Sequence, residues 1–351
     1  MRIAQIAPLT EAVPPALYGG TERVVSGLTE ELVAMGEDVT LFATGDSVTR
    51  ARLEPMWPRS SRLDGTVRDP YGLHMMMIEK VYQRAHEFDL LHFHIDYFPF
   101  SLMLRQSTPF VTTLHGRLDL PEHHPVFASF PTVPLVSISN AQRRPIPRAN
   151  WVGTVHHGLP ADLLRPQPIR PSYLAFLGRI SPEKGVDRAI AIARRCGLRL
   201  KIAAKVDKMD QDYFDEVVRP LLTTPGVDFL GEISDEEKPE FLSGAFALLA
   251  PIDWPEPFGL VMIEAMACGT PVIAFNRGSV PEVLDDGLTG FVVEDVTSAA
   301  AAVRDVGSLS RAAIRRRFEE RFTARRMAED YLRLYRRLAD RESVRPRLKT
   351  V

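Results

Sequence analysis

The chain has 351 residues, of which 45% are apolar and 25% charged, with a formal net charge of −2. These are values of an ordinary globular protein, and they exclude disordered, fibrous and membrane-spanning classes. At roughly 150 residues per domain the length asks for about two domains, each able to bury a real core. The near-neutral charge conceals a skew: residues 311–351 hold 14 Lys or Arg against 6 Asp or Glu, so an acidic body precedes a basic tail.

Two cysteines, Cys196 and Cys268, sit in apolar helical contexts, which excludes a disulfide framework and a four-cysteine zinc site and points to a reducing compartment. The apolar stretch Met1–Pro8 is too short for a signal-peptide core, and no later run approaches the ~18 apolar residues of a membrane span. The expectation is a cytoplasmic protein with no nucleic-acid partner. Peripheral membrane contact through the basic tail stays open, and the oligomeric state is not legible.

Short β-rich runs alternate with amphipathic stretches, the pattern of parallel sheets built from βαβ units. Strands are expected at Ile3–Ala7, Val39–Ala43, Leu90–His94, Phe110–Leu114, Leu135–Ile138 and Val152–His156. Thr21–Met35 reads as a helix stopped by Gly36. Leu159–Pro171 carries Pro160, Pro166, Pro168 and Pro171 and reads as an interdomain linker. Beyond it, strands are expected at Tyr173–Leu177, Leu200–Ala204, Val227–Leu230, Ala247–Ala250 and Pro271–Ala274. Helices are expected near Val186–Cys196, Gln211–Leu222, Asp235–Ser243 and Phe258–Cys268. The C-terminus reads as helical, with Ile314, Phe318, Phe322, Met327, Tyr331, Tyr335 and Leu338 close to a 3.6-residue spacing. Two doubly wound domains would place a ligand cleft at the carboxyl ends of their sheets.

The densest motif runs from Trp254 to Val272. Pro257 is expected as the first helical residue, leaving the N–H groups of Phe258, Gly259, Leu260 and Val261 as an anion site, with Glu256 just outside the helix and Glu264 two turns in. Taken singly, either glutamate is a satisfied helix carboxylate or a solvated loop residue. After the first strand of the second half comes Gly178-Arg179-Ile180-Ser181-Pro182-Glu183-Lys184-Gly185, where Arg179 and Lys184 would put two cations over a phosphate. The bland alternative is a charged turn. In the first half, Tyr18-Gly19-Gly20-Thr21-Glu22 opens a helix with glycines that let a backbone approach a ligand, a weak signal alone. His92 and His94 alternate on one strand face before Asp96. With no third ligand at suitable spacing, a strand end explains them better than a metal site does.

Glu256 and Glu264 with their flanking Pro-Phe-Gly and Gly-Thr-Pro, together with the Gly-Arg, four residues, Lys-Gly pattern, resemble family 4 glycosyltransferases, which are retaining enzymes of GT-B fold. The resemblance implies an α/β protein of two Rossmann-like doubly wound domains: residues 1–160 on the acceptor side, residues 161–322 binding the nucleotide-sugar donor, and residues 323–351 as a helix crossing back with a basic tail. It implies metal-independent transfer of a hexose from a UDP- or GDP-linked donor to an acceptor hydroxyl, with no cofactor and no metal ligand. Arg179, Lys184 and the Phe258–Val261 helix end would hold the diphosphate, Glu256 the sugar hydroxyls and Glu264 the ribose. Gly19 and Gly20 would lie near the phosphates, and His115, which ends a strand before Gly116, against the reacting sugar. Ile233 would pack near the base, and Glu282, in a segment that closes the donor pocket, would orient Arg179 or the ribose. Departures from the commoner pattern are Lys205 where a glycine is frequent beside the base or phosphates, His157 for asparagine, and Ser279 for a second glycine. Rival readings are a glycosidase, for which the cation pair has no purpose; a nicotinamide dehydrogenase, for which no Gly-x-Gly-x-x-Gly follows a strand; and a catalytically silent GT-B scaffold that binds a nucleotide sugar or a partner enzyme.

Overall fold

The computed structural model describes residues 1–17 and 19–343, with residues 341–343 described by backbone alone. Tyr18 and the last eight residues of the basic tail lie outside the described residues. The chain divides into two compact units, Met1–Gly158 with Ala324–Val351, and Leu159–Thr323.

The first unit is built on strands β1 (Arg2–Ile6), β2 (Asp38–Thr44), β3 (Arg52–Trp57), β4 (Leu90–Phe93), β5 (Phe110–Thr113), β6 (Leu135–Ser137) and β7 (Trp151–Thr154), in the order β3-β2-β1-β4-β5-β6-β7. All pairings are parallel. The central strands read as continuous apolar runs because both faces are covered: Ile3, Ile6, Leu91 and Phe93 are all fully buried. Helices α1 (Gly20–Ala34), α2 (Pro70–Arg84) and the C-terminal helix, here α8 (Ala324–Ser343), belong to this unit.

The second unit carries β8 (Tyr173–Ile180), β9 (Leu200–Val206), β10 (Val227–Gly231), β11 (Ala245–Ala250), β12 (Val272–Phe275) and β13 (Gly290–Val293), in the order β10-β9-β8-β11-β12-β13, again all parallel. Its helices include α3 (Val186–Cys196), α4 (Lys238–Ser243), α5 (Leu260–Ala267), α6 (Val296–Ala302) and α7 (Arg311–Arg321). The proline-rich stretch is fastened to this unit: Leu159 and Leu164 are buried, and Arg315 donates to the carbonyls of Ala161 and Leu164 at 2.6 and 2.7 Å.

Three local readings change. The stretch from Gln211 is not one regular helix, because Phe214–Val218 opens into a π turn ahead of Pro220. The C-terminal stripe is two helices: α7 ends with Phe322 as its C-cap, and α8 starts at Ala324. β3, α2, β13 and α6 were not anticipated as elements.

Candidate active site

In the second unit, chemistry gathers at the carboxyl ends of the strands, where a doubly wound sheet presents its loops. The parallel register of β8 and β9 sets Arg179 directly opposite Lys205. Arg179 donates to Glu183 at 2.7 Å and lies 3.6 Å from Asp210 and 3.9 Å from Asp207, which also takes Lys205 at 2.9 Å. Burial pushes the Asp210 carboxyl above the usual range, against the pull of Arg179. Arg179 is thus oriented by Glu183, Asp207 and Asp210. Glu282 sits on the short turn Val280–Val283 and offers its carbonyl to Arg321. Ile233 lies half-buried beyond β10, the edge strand.

The loop Ser181–Gly185 is fastened to the loop that follows β11. The Asp253 N–H donates to the Glu183 carbonyl at 2.8 Å, and Arg188 donates to the Pro251 carbonyl at 2.9 Å. Gly185 makes this approach possible: its φ is +74°, and a Cβ there would stand 2.4 Å from the Pro251 oxygen. The result is a compact knot. The Lys184 ammonium pairs with the Glu256 carboxylate and stands 5.1 Å from the centroid of the Trp254 ring, whose N–H donates to the same Glu256 oxygen at 2.7 Å. Glu256 is buried, and Lys184 and Arg179 are partly buried rather than fully exposed.

The Glu256 loop is pinned from its other side. Ser279 donates through its N–H to the Glu256 carbonyl and through its hydroxyl to the Phe258 carbonyl, both at 2.9 Å. Gly278, with φ +55°, passes so close that a Cβ would meet the Glu256 backbone N and O at 2.3 Å. Ser279 in place of a glycine therefore has a purpose of its own, holding the loop that carries Glu256.

The expected helix start is corrected. Gly259, with φ +80°, is the N-cap and Leu260 the first helical residue, so Pro257 and Phe258 belong to the loop. Phe258 is buried against Phe322, with ring centroids 6.1 Å apart, and anchors the loop. The outward-facing N–H groups of the first turn are then those of Leu260 and Val261. Glu264 is buried and accepts from Lys238 at 2.7 Å, and Lys238 also lies 3.0 Å from Asp235.

In the first unit, Gly19 caps α1 and Gly20 begins it. A Cβ on Gly19 would press on the Pro15 ring at 2.7 and 2.9 Å, so glycine is required there by packing as well. Glu22, in the first turn, is buried, and its carboxyl is pushed up to about 7 by that burial, with Glu11 nearby adding to the effect. His92 and His94 are core residues, with both ring nitrogens of each hydrogen-bonded. His115 follows β5, with its ring stacked on His157 at 5.2 Å and 18°, and burial lowers its pKa to about 3, so it is neutral. Among the described residues no cluster of His, Cys, Asp or Glu could hold a metal ion, and no helix is long and apolar enough to cross a membrane.

Comparison with known proteins completes the picture. Residues 165–324 match the family described as glycosyl transferases group 1, and residues 18–171 match glycosyltransferase family 4, so the two together take in most of the chain. The chain belongs to the GT-B group 1 glycosyltransferases. The glycogen synthase of Mycobacterium tuberculosis is 35% identical over 168 residues, which is 46% of this chain and 39% of that protein. The D-inositol 3-phosphate glycosyltransferase of Mycolicibacterium smegmatis is 32% identical over 199 residues, 52% of this chain and 44% of that protein. The chain thus spans only about two-fifths of the length of these relatives. AviGT4, a glycosyltransferase involved in avilamycin A biosynthesis, superposes with a TM-score of 0.75 at 24% identity, over 97% of this chain and 98% of that one. At this identity the likeness shows the fold.

Lys238 is among the residues that the sequence does not mark. It lies in the expected helix Asp235–Ser243 with no motif around it, yet the lysine is buried against Glu264. Only a partner 26 positions along the chain makes it legible.

Proposed function

We propose that the protein transfers a hexose from a nucleoside-diphosphate donor, UDP- or GDP-linked, to an acceptor hydroxyl, with retention of configuration and without a metal or other cofactor. The observation that carries this reading is the Lys184–Glu256–Trp254 knot beside Arg179 and Lys205 at the carboxyl ends of β8 and β9. Anabaena HepE, a structural neighbour at 20% identity and TM-score 0.72, was solved in complex with UDP and glucose, which lends the donor class support by analogy.

As a donor departs, negative charge builds on its diphosphate, and fixed cations and N–H dipoles stabilise that charge most in the transition state. Arg179, Lys184, Lys205 and the N–H groups of Leu260 and Val261 supply them. Arg179 is about one-third exposed, and exposed ion pairs contribute little. Its carboxylates can therefore give way to a phosphate at small cost. Glu256, held by the Trp254 N–H, would accept from sugar hydroxyls. Glu264, oriented by Lys238, would meet the ribose. When the leaving phosphate itself takes the acceptor's proton, no side chain has to be the general base.

Arg179→Ala or Lys184→Met should abolish transfer, measured as donor consumption across UDP- and GDP-linked hexoses, while circular dichroism stays unchanged. EDTA should leave turnover unchanged. Near-wild-type turnover in either variant, or activity lost to EDTA and restored by a divalent ion, contradicts the reading.

A further inference from the structure

The core of the first unit contains a continuous polar chain linking β1, β4, β5, α8 and His115. Tyr335 on α8 sits 3.1 Å from the Gln5 amide nitrogen and 2.6 Å from His92 Nδ1. His92 Nε2 is 2.7 Å from Thr113 Oγ1, which is 2.9 Å from the Tyr331 hydroxyl. On the other side, the Gln5 carbonyl oxygen is 2.9 Å from His94 Nε2, and His94 Nδ1 is 2.9 Å from His115 Nε2. Gln5, His92, Tyr331 and Tyr335 are fully or almost fully buried. Such a network is satisfied throughout or it is costly. Here it is satisfied until its last atom, because His115 Nδ1 is shielded from solvent and has no partner.

The chain has a direction, and one amide sets it. The Gln5 carbonyl can only accept, so His94 carries its proton on Nε2. Burial holds His94 neutral, so its Nδ1 is a lone pair and must accept from His115 Nε2–H. His115 is neutral too, which leaves a lone pair on its Nδ1. In the same sense the Gln5 NH2 donates to Tyr335, the Tyr335 hydroxyl donates to His92 Nδ1, and His92 Nε2–H donates to Thr113. A buried acceptor without a donor calls for an explanation.

We propose that Gln5, acting through His94, is a positioning residue that locks His115 in the Nε2–H tautomer, so that Nδ1 is a hydrogen-bond acceptor reserved for a hydroxyl of the sugar substrate. This rests on the sugar-transfer reading above and adds to it a specificity rule: the hydroxyl that meets His115 must donate, and a sugar with fluorine or hydrogen in its place is a poor substrate. The opposite direction would protonate His115 on Nδ1 and make it a donor. A donor there would accept the fluoro sugar.

Two-bond proton–nitrogen correlation spectra of the ¹⁵N-histidine-labelled full chain, assigned with His94→Asn and His115→Asn variants, read the tautomers directly. His92, His94 and His115 should all be protonated on Nε2, and a His115 signal of the Nδ1–H form overturns the proposal whether or not transfer is ever detected. In Gln5→Leu the His115 signal should move toward a mixture of tautomers. Transfer should fall about tenfold or more, in kcat rather than KM, with affinity for UDP or GDP unchanged. Gln5→Glu, which keeps an acceptor facing His94, should restore the Nε2–H signal and part of the rate. A Gln5→Leu variant with wild-type tautomers and rate refutes the relay. Absence of any nucleoside diphosphate binding by the wild-type chain would instead refute the functional reading while the tautomer result stands.

Discussion

Glu22, in the first turn of α1 next to Gly19 and Gly20, offers a quantitative test of the first unit. Its carboxyl titrates at about 7 in the folded chain against an ordinary 4.5, chiefly because burial penalises the charged form. Below pH 4.5 both folded and unfolded chains hold the proton, and this residue has no effect on stability. Between 4.5 and 7 the unfolded chain releases the proton and the folded chain keeps it, so stability falls as pH rises, and above 7 the loss is complete. At about 1.4 kcal/mol per pH unit of displacement, the loss amounts to about 3 kcal/mol. Glu22→Gln keeps the shape and removes the charge. Its unfolding free energy should match wild type at pH 4.5 and exceed it by up to about 3 kcal/mol at pH 8. For a unit of this size that corresponds to a melting temperature higher by about 6–12 °C. Thermal unfolding at the two pH values is the assay. A variant no more stable than wild type at pH 8, or a gain independent of pH, refutes the reasoning.

Two further substitutions probe the second unit. Gly278→Ala places a methyl group 2.3 Å from the Glu256 backbone at a left-handed φ of +55°. It should cost about 2 kcal/mol or more in chemical denaturation and reduce transfer by displacing Glu256. Lys238→Met strands Glu264 in the core without its cation and should destabilise the unit by about 3–5 kcal/mol. The double variant Lys238→Met/Glu264→Gln should recover part of that loss, and additive losses would show that the pair is not coupled.

The architecture was legible because a parallel sheet covered on both faces writes itself as apolar runs. Every strand expected from sequence lies within two residues of its place except β8, which runs three residues past Leu177 and so carries Arg179 itself. β3 and α2 were not legible for the complementary reason: β3 is an edge strand carrying Arg52, Glu54 and Pro55, and α2 leaves Tyr71, Met75 and Met76 exposed, so neither shows a clean period. The break at Phe322 and Thr323 is hidden because no Gly or Pro marks it and the apolar spacing runs on through two helices that each bury their own stripe. At the site, the motifs pointed to Arg179, Lys184 and Glu256, and the structure added what holds them. Gly185 and Gly278 are close approaches between distant loops, and Lys238, Gln5 and Tyr335 acquire meaning only from partners far along the chain. The helix begins three residues later than expected, at Leu260 instead of Pro257, because its N-cap Gly259 takes a positive φ.

The central claim is that this fold holds a nucleoside diphosphate on Arg179 and Lys184. Titration calorimetry of UDP and GDP into the full chain in EDTA, repeated with Lys184→Met, tests it most directly. One of the two nucleotides should bind the wild-type chain, with affinity at least about tenfold weaker in the variant, the equivalent of about 1.4 kcal/mol. Failure of both to bind, binding that requires a divalent ion, or equal affinity in the variant would contradict the account.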